Sequence, residues 1–222
     1  MSYTNHPIKK SNLLIKTVLF KNKKLLIFDY DGTIANTASI HKEAFAKTLD
    51  NIDLQYKYKD LAGLNTEEAL KKIFETNQLK LADSITNLSA QKRKIALKIM
   101  STDLKLMPDF DSFIQFAKQY FILSVVSSGS RESINFGLKK FKLHSLFVNI
   151  ITNEDVKFAK PSPEGFLLSL ESIEGIKKEE ALIFEDADSG LEAARLAGID
   201  VVDIRNLGWK QIEKILRTTF EK

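Results

Sequence analysis

The stretch "LLIFDYDGTIANT", residues 25–37, decides the fold of this chain. Its first four residues are all apolar, which is typical of a strand that is buried on both faces in a parallel sheet. The apolar run ends at Asp29, and a second carboxylate follows at Asp31, just before Gly32. Two acids at one strand end repel each other, and a compensating cation makes them tolerable. The stretch therefore predicts a buried parallel strand with an acidic site at its carboxyl end.

Further apolar runs repeat this pattern along the chain, and helical patterns separate them. The predicted strands are residues 23–29, 121–127, 147–152, 181–186 and 200–204. Strands that alternate with helices indicate an α/β protein. We therefore expect a Rossmann-like parallel sheet with helices on both faces.

The segment 37–107 differs from the rest of the chain. It contains amphipathic helical patterns and no convincing strand, and it separates the first strand from the others. We interpret it as an inserted α-helical cap domain. The α/β core domain then comprises residues 23–36 and 108–222, and residues 1–22 form an N-terminal extension whose structure the sequence does not indicate.

The composition excludes several classes of function. The 222 residues include no cysteine, which excludes disulfides and thiolate chemistry and suits a cytoplasmic protein. No apolar run is long enough to span a membrane. The net charge of +4 comes from basic residues interleaved with acids, which is typical of a solvated surface. We therefore expect no nucleic-acid or membrane partner, and the sequence carries no signal for an oligomeric state.

Polar and charged residues follow four of the predicted strands at or just beyond their carboxyl ends. In an open parallel sheet, these ends meet at one edge, where ligands bind. The residues are Asp29 and Asp31 after the first strand, Ser127, Ser128 and Ser130 after the second, Lys160 after the third, and Glu185 and Asp186 after the fourth. The sequence thus predicts a single site that combines carboxylates, hydroxyls and an ammonium group.

This combination of groups fits phosphoryl transfer. Hard carboxylate oxygens select Mg²⁺, and a carboxylate can attack phosphorus to form an aspartyl-phosphate. Mg²⁺ and a lysine can stabilise the negative charge on the phosphoryl oxygens. Hydroxyls and backbone N–H groups at a helix start can hold the remaining oxygens. Gly32 lets the chain turn sharply after the first strand and approach the phosphate closely.

Four motifs carry a resemblance to a known family. "FDYDGT", "VVSSGS", "AKPSPEGF" and "IFEDADSGLEAARLAG" resemble, in this order, the four motifs of the haloacid dehalogenase superfamily. The resemblance covers residues 23–204. The helical insert resembles the C1-type cap of the subfamily that includes phosphoglycolate phosphatase and β-phosphoglucomutase. This resemblance implies a Mg²⁺-dependent phosphatase that hydrolyses a small phosphorylated metabolite through an aspartyl-phosphate.

The resemblance also implies roles for the charged residues. Asp29 would be the nucleophile and a magnesium ligand. Asp31 would protonate the leaving group and then activate water, with its backbone carbonyl on the metal. Lys160 would neutralise the nucleophile and the transferred group. Asp186 would bind the metal, and Glu185 would be either a direct ligand or a neighbour of the ligands.

The serines and the cap residues have two interpretations each. By resemblance, Ser127 binds phosphate and Ser128 shares that role, but a serine at this place can equally cap the following helix. In the cap, His41 stands where related phosphatases carry a histidine, although a surface histidine fits as well. Residues 61–70 resemble the cap's substrate-specificity loop, or form an ordinary loop before a capped helix. The candidate contacts there are Gly63, Asn65 and Thr66.

Other functions remain as alternatives to the phosphatase. A sugar phosphomutase uses the same scaffold, but that pattern has arginine where this chain has Thr66. The dehalogenase branch lacks the second aspartate, and phosphonate cleavage is disfavoured because no suitably placed cap lysine is identified. A non-catalytic, receiver-like regulator also uses aspartate, serine and lysine. Its paired acids, however, precede the phosphorylated aspartate, and it is shorter and has no cap.

Overall fold

A computed structural model describes residues 19–50, 55–61, 63–79 and 85–221 of the chain. The strands, in chain order, are β1 (Leu25–Phe28), β2 (Ala35–Asn36), β3 (Lys105–Leu106), β4 (Ile122–Val126), β5 (Asn149–Ile151), β6 (Ala181–Glu185) and β7 (Asp200–Asp203). The helices are α1 (Ala38–Thr48), α2 (Thr66–Thr76), α3 (Ile85–Asp103), α4 (Phe110–Ala117), α5 (Arg131–Lys140), α6 (Glu164–Glu171), α7 (Asp188–Ala197), α8 (Ile204–Leu207) and α9 (Trp209–Phe220).

Five of these strands form one parallel sheet in the order β5–β4–β1–β6–β7. The central strand β1 has its side chains buried on both faces, as its apolar run predicted. Leu26 and Phe28 join the hydrophobic core on one face, and Leu25 and Ile27 join the core on the other. This alternation follows from the two-residue period of a strand. The predicted α/β class with a Rossmann-like parallel sheet is confirmed.

An aromatic cluster lies directly beneath the carboxyl ends of β1 and β6. Phe28 and Phe184, the neighbours of Asp29 and Glu185 in sequence, stack with ring centroids 5.1 Å apart. Phe113 and Trp209 pack against both rings. The cluster gives the acidic edge of the sheet a rigid apolar floor, because packed aromatic rings leave little room for movement.

The helices α1, α2 and α3 lie between β2 and β3 in the chain and have a small hydrophobic cluster of their own. Its buried residues are Phe45, Leu49, Leu61, Ala69, Leu70, Ile73 and Phe74. The opposite sides of α1 and α3 pack onto the main core through Ile40, Ala44, Ala96, Ile99 and Met100. The segment is therefore helical, as expected. Its status as a separate cap domain bounded at residues 37 and 107 stays a prediction.

One prediction for this segment is wrong, because β3 lies inside it. The strands β2 and β3 form an antiparallel ribbon in which Ala35 pairs with Leu106 and Asn36 pairs with Lys105. A strand of two residues has no measurable periodicity, so the sequence pattern does not reveal it. The ribbon brings the two connections between the sheet and the helical segment side by side.

The predicted N-terminal extension, residues 1–22, lies mostly outside the described residues. The part that is described joins the core: Leu19 and Phe20 are 6% and 1% exposed. Phe20 packs against the rings of Phe121 and Phe184. Among the described ranges, no helix combines the length and the apolar character that a bilayer-spanning segment needs.

Candidate active site

Three carboxylates meet where β1 and β6 end. The two strands pair with Phe28 opposite Phe184, so Asp29 and Glu185 emerge side by side, and Asp186 follows. One carboxylate oxygen from each residue lies within 4.8 Å of the others. Asp29 and Glu185 are 7% and 1% exposed. Such a group is unstable without a positive charge, because buried like charges repel and have lost their hydration.

Lys160 supplies one positive charge at this cluster. Its Nζ donates to Oδ1 of Asp29 at 2.7 Å, to Oε2 of Glu185 at 2.8 Å and to the carbonyl oxygen of Val126 at 3.0 Å. These bonds use all three N–H groups of the ammonium. Burial alone would lower the pKa of Lys160, but the two carboxylates raise it above its usual value. Lys160 is therefore a fixed cation at the bottom of the site.

A single ammonium does not balance three carboxylates. Burial first, and the repulsion of Glu185 second, raise the pKa of Asp29 well above its usual range. The same two causes raise the pKa of Asp186 to about 7. Glu185 is held differently from the other two: its Oε1 accepts the backbone N–H groups of Asp186 and Ala187 at 3.0 and 2.9 Å. Both oxygens of Glu185 therefore have protein partners, whereas Asp29 and Asp186 carry the excess charge.

The turn after β1 brings its backbone against Asp186. Gly32 has a φ of 82°, a left-handed conformation that favours glycine. A Cβ atom at Gly32 would lie 2.2 Å from Oδ2 of Asp186, so no other residue fits there without displacing the carboxylate. Thr33 donates from its hydroxyl to Oδ1 of Asp186 at 3.1 Å. The sharp turn predicted from Gly32 is present, and it also positions Asp186, which follows β6.

The second aspartate of the turn, Asp31, has a different environment from Asp29. Its Oδ1 accepts from the hydroxyl of Thr37 at 2.7 Å and lies 3.0 Å from Nε2 of His41. Burial would raise the pKa of Asp31, but His41, Thr37 and the more distant Lys92 together lower it to about 2. Its Oδ2 faces the neighbourhood of Gly129, where a Cβ atom would lie 3.4 Å from it. The two aspartates, two residues apart, thus have pKa values shifted in opposite directions.

Lys92 on α3 is a residue of the site that the sequence analysis missed. Its Nζ lies 3.0 Å from Nδ1 of His41 and 3.4 Å from the hydroxyl of Thr66, and the residue is 6% exposed. Because Nδ1 faces the amine of Lys92, Nε2 is the nitrogen that donates to Asp31. Burial lowers the pKa of Lys92 to about 8. The helical segment thus contributes a buried lysine to the cleft, although the sequence identified none there.

A signal for Lys92 exists in the sequence. The buried residues of α3 are Lys92, Ala96, Ile99 and Met100, which recur at helical spacing on one face. A lysine on the apolar face of an amphipathic helix needs a partner in the interior. Lys92 is the charged residue among the buried positions of α3, and the amphipathic pattern alone did not identify it as part of a site.

The three serines after β4 differ in their hydrogen bonds. Ser130 caps α5, since its hydroxyl accepts the backbone N–H of Ser133. Ser127 is 5% exposed, and its Oγ accepts the N–H of Gly129 at 2.9 Å, so its hydroxyl proton remains available to another acceptor. The buried Oγ of Ser128 has no hydrogen-bond partner among the described residues. Buried hydroxyls normally have partners, which makes Ser128 a place where a ligand atom is expected.

The loop before α2 reaches the acidic site from the side of the helical segment. Gly63 has a φ of 80°, and a Cβ atom there would lie 2.1 Å from Oγ of Ser189 at the start of α7. Asn65 caps α2 in a capping box with Glu68. Asn65 therefore has the structural role that was one of its two interpretations, and its side chain still lines the cleft that contains Asp29.

A cleft of about 380 Å³ connects these groups. Its lining includes Asp29, Asp31, Ser128, Lys160, Glu185 and Asp186 from the core side, and His41, Gly63, Asn65, Thr66 and Lys92 from the helical segment. Ser127 adjoins it and lines a small neighbouring pocket with Ser128 and Lys160. The structure thus brings together all the residues that the sequence proposed for the site.

We expect Lys92→Met to stabilise the fold and to lower kcat. Burial shifts the Lys92 pKa from 10.5 to about 8, which corresponds to a cost of about 3 kcal/mol for the charged form. Loss of the bond to His41 offsets about 1 kcal/mol of this gain, so the net gain is about 2 kcal/mol. Thermal unfolding and steady-state kinetics measure the two effects. The exposed Lys94→Met is the matched control, and a lower Tm for Lys92→Met would contradict the expectation.

We expect the Tm of the metal-free protein to fall between pH 5 and pH 8. The pKa of Asp186 rises from 3.8 to about 7 on folding, so its stabilising contribution is complete below pH 4 and is lost as the pH rises through 7. Allowing for its partial exposure, the loss is roughly 2 kcal/mol. Unfolding with EDTA at both pH values measures it. Asp186→Asn should remove this part of the slope, and an unchanged slope in that variant would refute the assignment.

The fold and the site together place the chain among the α/β enzymes whose acidic centre lies at the carboxyl ends of parallel strands. Residues 26–204 match the family model described as haloacid dehalogenase-like hydrolase. The protein belongs to this family, as the four motifs predicted.

Similar proteins agree with the family assignment. A fructose-1-phosphate phosphatase of Escherichia coli K12 is 33% identical over 187 residues, which cover 82% of this chain and 96% of the relative. A phosphorylated carbohydrates phosphatase of Thermotoga maritima is 28% identical over 179 residues, covering 79% and 82%. The crystal structure of CbbY from Rhodobacter sphaeroides in complex with phosphate has the same fold, with a TM-score of 0.73 at 24% identity, and covers 81% of this chain and 84% of that one.

Proposed function

We propose that the protein is a Mg²⁺-dependent phosphatase that hydrolyses the monophosphate of a small sugar or related polyol through an aspartyl-phosphate on Asp29. The observation that carries the proposal is the contrast between the two aspartates of one turn. Asp29 lies against the buried ammonium of Lys160, whereas Asp31 lies against Thr37 and His41. Paired carboxylates in opposite environments are typical of a nucleophile and a separate acid–base group.

The donor set fits a magnesium ion. Asp29 and Asp186 offer hard oxygen ligands that lie close together. Burial and the neighbouring carboxylate of Glu185 raise the pKa of both, and a bound cation would relieve this repulsion. The backbone carbonyl of Asp31 would complete the protein ligands. Glu185 already binds Lys160 and two backbone N–H groups, so we assign it to holding the ligands and not to direct coordination. When bound, Mg²⁺ would supply positive charge that offsets the negative charge on the phosphoryl oxygens.

In the first step, a carboxylate oxygen of Asp29 attacks phosphorus, and the bond from phosphorus to the leaving oxygen breaks. Lys160 favours the ionised form of Asp29 and so opposes burial and Glu185, which raise its pKa. Its three N–H groups are already engaged, so it acts mainly through its charge. The hydroxyls of Ser127 and Ser128 would donate to the phosphoryl oxygens, which gives the buried Oγ of Ser128 a partner.

Asp31 would donate a proton to the leaving oxygen and later take one from the attacking water. Water then adds to phosphorus, the acyl-phosphate bond breaks, and Asp29 and inorganic phosphate are released. In the structure, His41 and Lys92 lower the pKa of Asp31 to about 2, which favours its charged form. A bound phosphomonoester would add negative charge beside Asp31 and raise this pKa. The proton would therefore be taken up together with the substrate.

The proposed substrate class rests on the cleft and on the relatives. A cleft of about 380 Å³ accommodates a small molecule and excludes a folded phosphoprotein. From the helical segment, the lining includes Asn65, Thr66 and Ser89, which carry amide or hydroxyl groups, and also the charged residues Glu67, Lys92 and Arg93. The amide and hydroxyl groups suit a substrate with several hydroxyls. The named relatives from E. coli and T. maritima act on fructose 1-phosphate and on phosphorylated carbohydrates.

Residues 37–107 would act as a cap that closes over the substrate and excludes bulk water. His41 and Lys92 support this role, because His41 extends from the helical segment to Asp31 and Lys92 contacts His41. Thr66→Ala should change relative kcat/KM among small sugar phosphates by ~1–3 kcal/mol, the usual effect of one altered pocket contact. The exposed Thr76→Ala is the control. An unchanged substrate profile in Thr66→Ala would remove the cap loop from substrate choice.

The direct test is a panel of sugar and polyol monophosphates, assayed by release of inorganic phosphate with Mg²⁺ and with EDTA. The proposal expects turnover with Mg²⁺, none with EDTA, and recovery when Mg²⁺ is restored. Full activity in EDTA would overturn the metal assignment. A parallel assay for conversion of β-glucose 1-phosphate into glucose 6-phosphate distinguishes the phosphomutase. Isomerisation without phosphate release would replace the hydrolase proposal.

A further inference from the structure

A tryptophan that is remote from the site in sequence is bonded to the turn that carries Asp31. Trp209 begins α9, is 2% exposed, and donates from its indole Nε1 to the carbonyl oxygen of Thr33 at 2.8 Å. It is the one tryptophan of the chain. The bond is buried, so losing it would leave a carbonyl oxygen without a partner in a dry environment.

The turn itself does not use the carbonyl of Thr33. The N–H groups of Ile34 and Ala35 both bind the carbonyl of Tyr30, at 2.9 and 3.0 Å, and the N–H of Gly32 binds the carbonyl of Ala35 at 2.8 Å. These bonds close the turn on one side. The bond from Trp209 holds the carbonyl group of Thr33, which these backbone bonds leave unused. The tilt of this peptide therefore depends on α9.

The orientation of Thr33 affects the position of Asp186 in the acidic cluster. Its hydroxyl donates to Oδ1 of Asp186, and the same turn places Gly32 directly against Oδ2. A rotation of Thr33 would move the donor away from Asp186 and disturb both contacts. The path from Trp209 to Asp186 thus consists of two hydrogen bonds through one buried threonine.

The indole of Trp209 is held in place by the aromatic rings around it. Its ring centroid lies 4.6 Å from Phe113, 5.0 Å from Phe110 and 5.1 Å from Phe184. Phe184 directly precedes Glu185, so the same side chain also supports the end of β6. Close packing on several sides prevents the indole from following a displaced turn.

We propose that Trp209 is a positioning residue of the metal site, which acts through Thr33 to orient the Asp186 carboxylate. The inference rests on the proposed magnesium site at Asp29 and Asp186. It extends that site to a residue of the C-terminal helix that touches neither the metal nor the substrate. Its role is to hold one ligand in the geometry that binds the ion, as supporting hydrogen bonds do around metal ligands.

The test replaces Trp209 by benzothienylalanine, in which sulfur stands in place of the indole N–H and the ring shape is kept. Binding of Mn²⁺ alone is measured from the paramagnetic resonance signal of the free ion, without substrate or turnover. We expect the dissociation constant for Mn²⁺ to rise about 3- to 10-fold, the range of one lost hydrogen bond. The KM for the substrate at saturating metal should stay the same.

Phe113→Leu is the matched control, because it loosens the same aromatic cluster and leaves the bond to Thr33 intact. Equal weakening of Mn²⁺ binding in the control and the Trp209 variant would overturn the inference, as would unchanged binding in the Trp209 variant. A wild-type protein that does not bind Mn²⁺ would overturn both the inference and the proposed function. Normal wild-type binding with an unaffected Trp209 variant would overturn the inference alone.

A second arm tests the route through Thr33. Thr33→Val removes the hydroxyl that donates to Asp186 but keeps the carbonyl that accepts from Trp209. If Trp209 acts through Thr33, its replacement in the Thr33→Val background should change Mn²⁺ binding less than 2-fold, because coupled residues are not additive. Fully additive effects would show that Trp209 influences the metal by another route, and would overturn the proposal.

Discussion

Asp29→Asn is expected to reduce kcat by more than ~10³-fold, the scale of losses when a catalytic group is removed. The amide cannot attack phosphorus as the carboxylate does. Glu185 is not free to replace it, because it is bound to Lys160 and to backbone N–H groups. The fold should survive, because the substitution removes one of three crowded carboxylates. Steady-state turnover of a sugar monophosphate and thermal unfolding measure both effects.

The same variant tests the covalent intermediate. Wild-type enzyme quenched in acid during turnover should carry a phosphoryl group that hydroxylamine releases, as an acyl phosphate does. Asp29→Asn should carry none. The exposed Asp111→Asn serves as the control for a lost surface charge. Near-native turnover by a folded Asp29→Asn protein would show that Asp29 is not the nucleophile.

Asp31→Asn is expected to separate substrates by the acidity of their leaving groups. A sugar alkoxide needs a proton as it departs, whereas nitrophenolate hardly does, so the loss of ~10²–10⁴-fold from a missing general acid should fall mainly on sugar phosphates. The p-nitrophenyl ester should retain more activity. Part of the loss will be common to both substrates, since Asp31 would also activate the water in the second step.

Kinetics with both substrates at saturating Mg²⁺ check this result. His41→Gln is a useful companion, because it weakens the contact to Oδ1 of Asp31 and leaves the carboxylate in place. It should shift the pH dependence of kcat with a smaller loss of rate. Equal losses on both esters in Asp31→Asn would argue against proton donation to the leaving group.

The sequence was informative where a signal is local. The apolar runs of β1 and β6 lead directly into acidic residues of the site, so both strands could be located together with Asp29 and Glu185. The turn at Gly32 was predictable for the same reason, because a left-handed residue restricts the choice of side chain. The alternative roles of the serines could not be separated from the sequence. The hydrogen bond that makes Ser130 the cap, and the lack of a partner for Ser128 within the described ranges, depend on three-dimensional geometry.

Non-local pairings account for what was missed. His41 and Lys92 are 51 residues apart, and Thr33 and Trp209 are 176 apart. No spacing rule connects such positions in a single sequence. The ribbon of β2 and β3 was missed for a different reason, since its strands have two residues each and their pairing depends on the packing of both connections.

The ribbon has a consequence for how such a protein can change. Its paired strands bring the entry and the exit of the helical segment to neighbouring positions, Ala35 beside Leu106. The chain thus enters and leaves this segment at one place, and none of the five parallel strands lies within it, although α1 and α3 also pack onto the main core. A segment from a relative could be grafted between these positions without altering the sheet. The grafted enzyme would keep Asp29, Lys160 and Asp186 but acquire another choice of substrate. The grafted segment would need residues equivalent to His41 and Lys92, because those two residues lie in the part that is replaced.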